Sequence, residues 1–160
     1  MRERDEGKKE YHKMSTNSNI RIGIVAATWH SEIIDTMIDV ATAEAAASGA
    51  EIAECVRVPG SYEMPLAADV LLEKNEIDAV VVLSCIFRGE TQHGEVMGHV
   101  VHHALVNLQL VHRKPIGMGI IGPGASKEQM LARKDEYARD AVKVVLDMHA
   151  VLTEALDEIR

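Results

Sequence analysis

Aromatic side chains are nearly absent from this chain, with one Trp, one Phe and three Tyr among 160 residues. An aromatic beside a loop of ligand-binding character therefore carries more information than usual. Cysteine is equally scarce. Cys55 and Cys85 are too few for a disulfide framework and, by themselves, for a structural zinc site. With no secretory-signal pattern at the N-terminus, they fit a reducing cytoplasm. Long apolar runs are missing too: the stretch 79–85 falls far short of the ~20 residues that span a bilayer, so no membrane association is expected. A basic excess is also lacking. Seventeen Lys and Arg stand against twenty-five Asp and Glu, a formal charge of −8, which argues against gripping a phosphate backbone and so against a nucleic-acid partner. What is present is ordinary globular usage, 47% apolar and 26% charged, in a chain of one domain's length.

Residues 1–19 mix Arg2, Arg4, Lys8, Lys9 and Lys13 with Glu3, Asp5, Glu6 and Glu10 and show no apolar periodicity. They read as a flexible extension, and a single domain is expected over 20–160. Within it the pattern alternates. A strand over 20–27 precedes a helix over 32–48, where Ile33, Ile34, Met37, Ile38, Ala41 and Ala45 recur at helical spacing before Gly49. A second strand, 51–58, ends at Pro59 and Gly60, and a short helix with Pro65 in its first turn follows. The strand over 78–85 is the most apolar. After it come a long helix over 91–112 with a wide apolar stripe and a strand over 116–121. Gly122, Pro123 and Gly124 break that strand, and 127–159 is helical, in one piece or two. Near-continuous apolar strands separated by helices imply an α/β three-layer sandwich around a four-stranded parallel sheet.

Ligands of such sheets bind outside the carboxyl ends of the strands, which selects four loops. The third is the richest. Gly89 and Thr91 open a helix whose free N–H groups and positive dipole end suit an anion, and His93 sits in its first turn, able to accept or donate a proton near neutrality. A Thr cap followed by a surface His fits the same residues, and the charge of Glu90 opposes an anion unless it points away. In the second loop Glu63, beside Ser61 and Tyr62, suits ligand hydroxyls, or is simply a helix-start acid. Trp29 after the first strand is placed to stack on a planar heterocycle or to seal the sheet edge. Arg133, Lys134, Arg113 and Lys114 are the cations from which a phosphate ligand would draw, and position alone does not choose among them. His99, His102 and His103 share a helix face, but no carboxylate or thiolate pattern completes a metal site; a polar face or a subunit contact suits them better. Cys85 reads as a small buried hydrophobe more readily than as a nucleophile.

Val58 to Pro65, Arg88 to His93 and the apolar 78–85 strand, in that order and spacing, resemble the lumazine synthase family of riboflavin biosynthesis over about seven-eighths of the chain, with Gly122 to Gly124 closest to its archaeal branch. The resemblance implies a flavodoxin-like sheet, a homopentamer with sites between subunits, and in some members a shell of twelve pentamers. It implies condensation of 5-amino-6-(D-ribitylamino)uracil with 3,4-dihydroxy-2-butanone 4-phosphate, releasing phosphate and water, without cofactor or metal. On this pattern Trp29 stacks on the pyrimidine, where Phe is commoner. Ser61, Tyr62, Glu63 and Ile86 hold that substrate, and Gly89, Glu90 and Thr91 hold the phosphate, with Glu90 standing where many relatives have a small residue. His93 transfers protons. A neighbouring subunit supplies Met118, where Phe is common, and Arg133, with a one-residue ambiguity that admits Lys134. Two alternatives stay open: a flavin- or lumazine-binding or shell-forming homologue without catalysis, and an archaeal-type riboflavin synthase that would consume lumazine. If His99, His102 and His103 line a pentamer channel, their protonation loosens the assembly as pH falls toward 6, which sedimentation would detect.

Overall fold

A computed structural model describes residues 19–158; the extension expected over 1–19 therefore lies, apart from its last residue, outside the described residues. Four strands, β1 (Arg21–Ala27), β2 (Glu51–Val58), β3 (Ala79–Phe87) and β4 (Ile116–Ala125), pair in parallel in the order β2-β1-β3-β4. Four helices cover them: α1 (Ser31–Ala47), α2 (Met64–Glu73), α3 (His93–His112) and α4 (Lys127–Asp157). The expected parallel sheet and crossover helices are present. Alternation along each strand divides the core in two. Ile22, Ile24 and Ala26 of β1 with Ala79, Val81 and Leu83 of β3 meet Ile34 and Met37 of α1 and Val142 and Val145 of α4. On the other face Val25, Val80 and Val82 meet Met64, Leu71 and Leu72 of α2 and Val101 and Leu105 of α3. The central strands β1 and β3 are apolar on both faces because helices cover both.

Two boundaries depart from the sequence reading, and the choice left open for the last helix is decided. β4 does not end before Gly122. It continues to Ala125, with Phe87 registered against Ala125 after a shift in the β3·β4 pairing. Gly122 and Gly124 adopt φ of 99° and 86°, a left-handed backbone that glycine accepts without strain, so the residues taken as a break are a bend within the strand. α3 begins at His93 and not at Thr91; the Thr91 hydroxyl accepts from the His93 N–H at 3.3 Å, just ahead of the first turn. α4 is one continuous helix. Its start is a capping box in which the Ser126 hydroxyl accepts from the Gln129 N–H at 3.2 Å and Gln129 Oε1 accepts from the Ser126 N–H at 2.9 Å.

The sheet's strand order reverses between β1 and β3, so crossovers leave in opposite directions there and a crevice opens at their carboxyl ends. The β1 and β2 ends are clamped together: the Thr28 N–H and hydroxyl both donate to the Val58 carbonyl, at 2.8 and 2.7 Å.

Candidate functional site

An open cleft of about 500 Å³ occupies that crevice. The loop after β1 contributes Trp29 and His30, and the segment after β2 contributes Pro59, Gly60, Ser61, Tyr62 and Glu63. Ser84, Cys85, Ile86 and Phe87 come from the end of β3, and Gly89, Thr91, His93, Gly94 and Met97 from the following loop and the start of α3.

The geometry follows from local chain behaviour. His30 takes a left-handed φ of 59°, turning the chain sharply from β1 into α1, and its ring packs 4.0 Å from that of Phe87. The turn leaves Trp29 outside the core at 70% exposure, a large cost for an indole unless something covers it. After β2 the chain makes a single 3-10 turn, Ser61–Glu63, which buries Ser61 and exposes Tyr62 and Glu63 toward the cleft. A Cβ on Gly60 would stand 3.4 Å from Glu63 Oε2 and 3.7 Å from Trp29 Cδ1, so the carboxylate and the indole converge over this glycine. Tyr62 meets His93 edge-on with ring centroids 5.9 Å apart, which joins the second loop to the third. α3 comes this close to β3 only because Gly94 lacks a side chain: a Cβ there would lie 3.1 Å from the Phe87 carbonyl oxygen.

Chemically the cleft offers an aromatic face, a carboxylate and an imidazole in one wall, with the start of a 20-residue helix beside them. Backbone N–H groups at a helix start attract an anion. Cys85 is no nucleophile at neutral pH, since burial, aided by the negative charge of Glu32, pushes its thiol up to about 12.

Of the residues singled out in the sequence, Trp29, Ser61, Tyr62, Glu63, Ile86, Gly89, Thr91 and His93 come together in the cleft of one chain. Glu90 is exposed and does not line it. Met118 lies in β4 opposite Val82, half-buried against the α2/α3 core. Arg133 is exposed on α4 and makes no ion pair among the described residues, whereas Lys134 is held by Asp135 at 2.7 Å. Neither lines the cleft of its own chain. Lys114 is occupied, donating to the Leu72 and Lys74 carbonyls at 2.7 and 2.8 Å. The three α3 histidines singled out have separate partners: His99 Nε2 stands 3.9 Å from Glu95 Oε1, His102 Nδ1 bonds the Gly98 carbonyl at 2.7 Å, and His103 Nε2 bonds Asn107 at 3.2 Å. Sequence reasoning missed Ser84, Phe87, Gly94 and Met97 as cleft residues. Only Ser84 left a trace, as a hydroxyl in an otherwise apolar strand.

Comparison with known proteins places these observations in a family. A family model described as 6,7-dimethyl-8-ribityllumazine synthase matches residues 19–153. A 6,7-dimethyl-8-ribityllumazine synthase of Metallosphaera sedula is 40% identical over 132 residues, covering 82% of this chain and 87% of that protein. One of Staphylothermus marinus is 41% identical over 128 residues, 80% and 85% of the two chains. Another, of Saccharolobus solfataricus, is 39% identical over 142 residues, 89% and 92% of the two.

Proposed function

This chain belongs to the 6,7-dimethyl-8-ribityllumazine synthase family, and from that premise we propose how its residues carry out the reaction. It is a transferase of riboflavin biosynthesis that joins 5-amino-6-(D-ribitylamino)uracil to 3,4-dihydroxy-2-butanone 4-phosphate and releases phosphate and water. The observation that carries the residue roles is the convergence of Trp29, Glu63, Thr91 and His93 on one cleft at the β1/β3 reversal.

Trp29 covers one face of the pyrimidine, which removes the exposed indole from water. Glu63 accepts from the ribityl hydroxyls, with Ser61, Tyr62 and Ile86 setting the depth of the ring. Gly89, Glu90 and Thr91 hold the phosphate through backbone donors at the start of α3, the Glu90 side chain pointing away. Attack of the pyrimidine amine on the ketone carbonyl forms a carbinolamine. Its dehydration to an imine, the elimination of phosphate and the final ring closure each move a proton, and His93 relays them from the phosphate end of the cleft. The leaving phosphate gains from helix-start donors and from a cation. No cation lines the cleft among the described residues. Arg133 of a neighbouring subunit fills this role, with Met118 of that neighbour against the ring.

The working assembly is accordingly a homopentamer with one domain per subunit. The two unpaired cysteines fit a cytoplasmic setting, and no helix among the described residues is long and apolar enough to cross a membrane. Mixing the full chain with both substrates is expected to raise lumazine fluorescence in step with phosphate release. A folded preparation that releases no phosphate and makes no lumazine would overturn the catalytic reading. Offered lumazine alone, the enzyme is expected to make no riboflavin.

A further inference from the structure

Ser84 is an anomaly in its strand. The residues that precede it on the same face of β3, Val80 and Val82, are fully buried in the α2/α3 core, and a third apolar side chain would extend that core by one layer. A hydroxyl stands there instead, 2.6 Å from the hydroxyl of Ser61. These two serines are the buried polar residues among those described, 1% and 5% exposed, and both line the cleft. Burying hydroxyls in an apolar layer is unfavourable unless they are bonded. Two serines bring two O–H protons and four lone pairs. One proton is used between them. The hydrogen bonds of the described residues provide no acceptor for the other, and the cleft is the open space the pair adjoins.

We propose that Ser61 and Ser84 act as a single-donor reader of the pyrimidine substrate, presenting their spare O–H to a neutral oxygen of that molecule, a ring carbonyl or a ribityl hydroxyl. This rests on the catalytic reading above and adds to it a specificity pair, of which Ser84 is the member the sequence did not reveal. The acceptor is neutral because Glu63, on the same 3-10 turn as Ser61, opposes an anion at this depth. The phosphate belongs at the start of α3. Because Ser61 begins the turn that carries Tyr62 and Glu63, the bond to Ser84 also anchors that turn to the sheet.

The test is steady-state kinetics of Ser84→Ala, Ser61→Ala and the double variant, together with lumazine binding followed by fluorescence. Loss of one neutral hydrogen bond predicts a rise of about 3- to 10-fold in the pyrimidine KM and the lumazine Kd, with the KM for the sugar phosphate within about twofold of wild type. The double variant is expected to be no worse than the poorer single one, since the pair supplies one donor. A pyrimidine bearing an alkyl chain in place of ribityl locates the acceptor. If the penalty vanishes with that analogue it lies on the chain, and if it persists it lies on the ring. Folded, active variants with unchanged pyrimidine KM, or with both KM values raised alike, overturn the pair while leaving the catalytic reading intact. A wild-type chain that makes no lumazine overturns both.

Discussion

His93 owes its proposed role to position and to its imidazole together. Its ring lines the cleft against Tyr62 at the first residue of α3, and on the proposed reading it relays protons between the two substrates. General acid–base help of this kind is worth about 10²- to 10⁴-fold, so His93→Ala is expected to lower kcat by that order with lumazine Kd nearly unchanged. Stopped-flow turnover and fluorescence titration check the two halves. Cys85 is the opposite case. Its thiol stays protonated to about 12 against an ordinary 9.0, so the unfolded chain releases that proton first as pH rises. The stability this contributes is complete below pH 9 and is lost on the way to pH 12. Cys85→Ala is expected to keep its activity and to show a shallower alkaline fall in denaturant midpoint than wild type. Trp29, Glu63 and His93 were legible in the sequence because scarce or ionisable types stand next to strand ends. Gly94 was not, since its importance is a carbonyl 3.1 Å from where a Cβ would be, and no local pattern encodes the approach of a distant strand.

At the scale of elements, alternation and apolar runs placed the four strands and the four α-helices but not the 3-10 turn Ser61–Glu63, and the largest boundary error falls where glycine and proline stand. Gly122, Pro123 and Gly124 carry the composition of a break, yet β3 runs alongside and supplies the partners that keep β4 going: the Arg88 N–H donates to the Ala125 carbonyl at 3.1 Å. Tertiary pairing overrides local chemistry there. The glycines earlier in β4 have a different cause. Gly117 lets α4 lie directly on the strand, since a Cβ there would collide with the backbone carbonyl of Ala141, whereas a Cβ on Gly119 would meet Leu83 and the Val82 carbonyl of β3. Backbone cannot swing aside as a side chain can. Gly117→Ala is therefore expected to destabilise by about 1–3 kcal/mol through forced separation of α4 from β4, lowering Tm by several degrees. Thermal unfolding followed by circular dichroism measures it, and a variant as stable as wild type would contradict the close packing.

The whole molecule carries a surface that one chain does not use. Leu66 and Val70 of α2, Val96, Val100, Val106, Leu110 and Val111 of α3, and Trp29 above the cleft are all exposed. Exposed apolar side chains in that number support the association proposed above. Among the described residues no Lys or Arg lines the cleft, while Arg133 lies exposed on α4 and makes no ion pair. In the proposed cyclic homopentamer each contact joins two different surfaces, so a cleft placed at that contact would meet the guanidinium of the next subunit five times in one ring. A solution mass of about five times 17.6 kDa, or twelve times that value for a shell, tests the assembly. Mixing tests the shared site more sharply. Arg133→Ala and His93→Ala each disable every site in their own assemblies. Unfolded together and refolded as a random equal mixture, they form interfaces of which roughly a quarter pair an intact His93 with an intact Arg133, and activity is expected to return to about that fraction of wild type. Were both residues to serve the cleft of their own chain, mixing would restore nothing. If Arg133→Ala alone remains active, the same mixture made with Lys134→Ala decides whether the neighbouring residue supplies the charge, because freeing Lys134 requires only that its surface pair with Asp135 open.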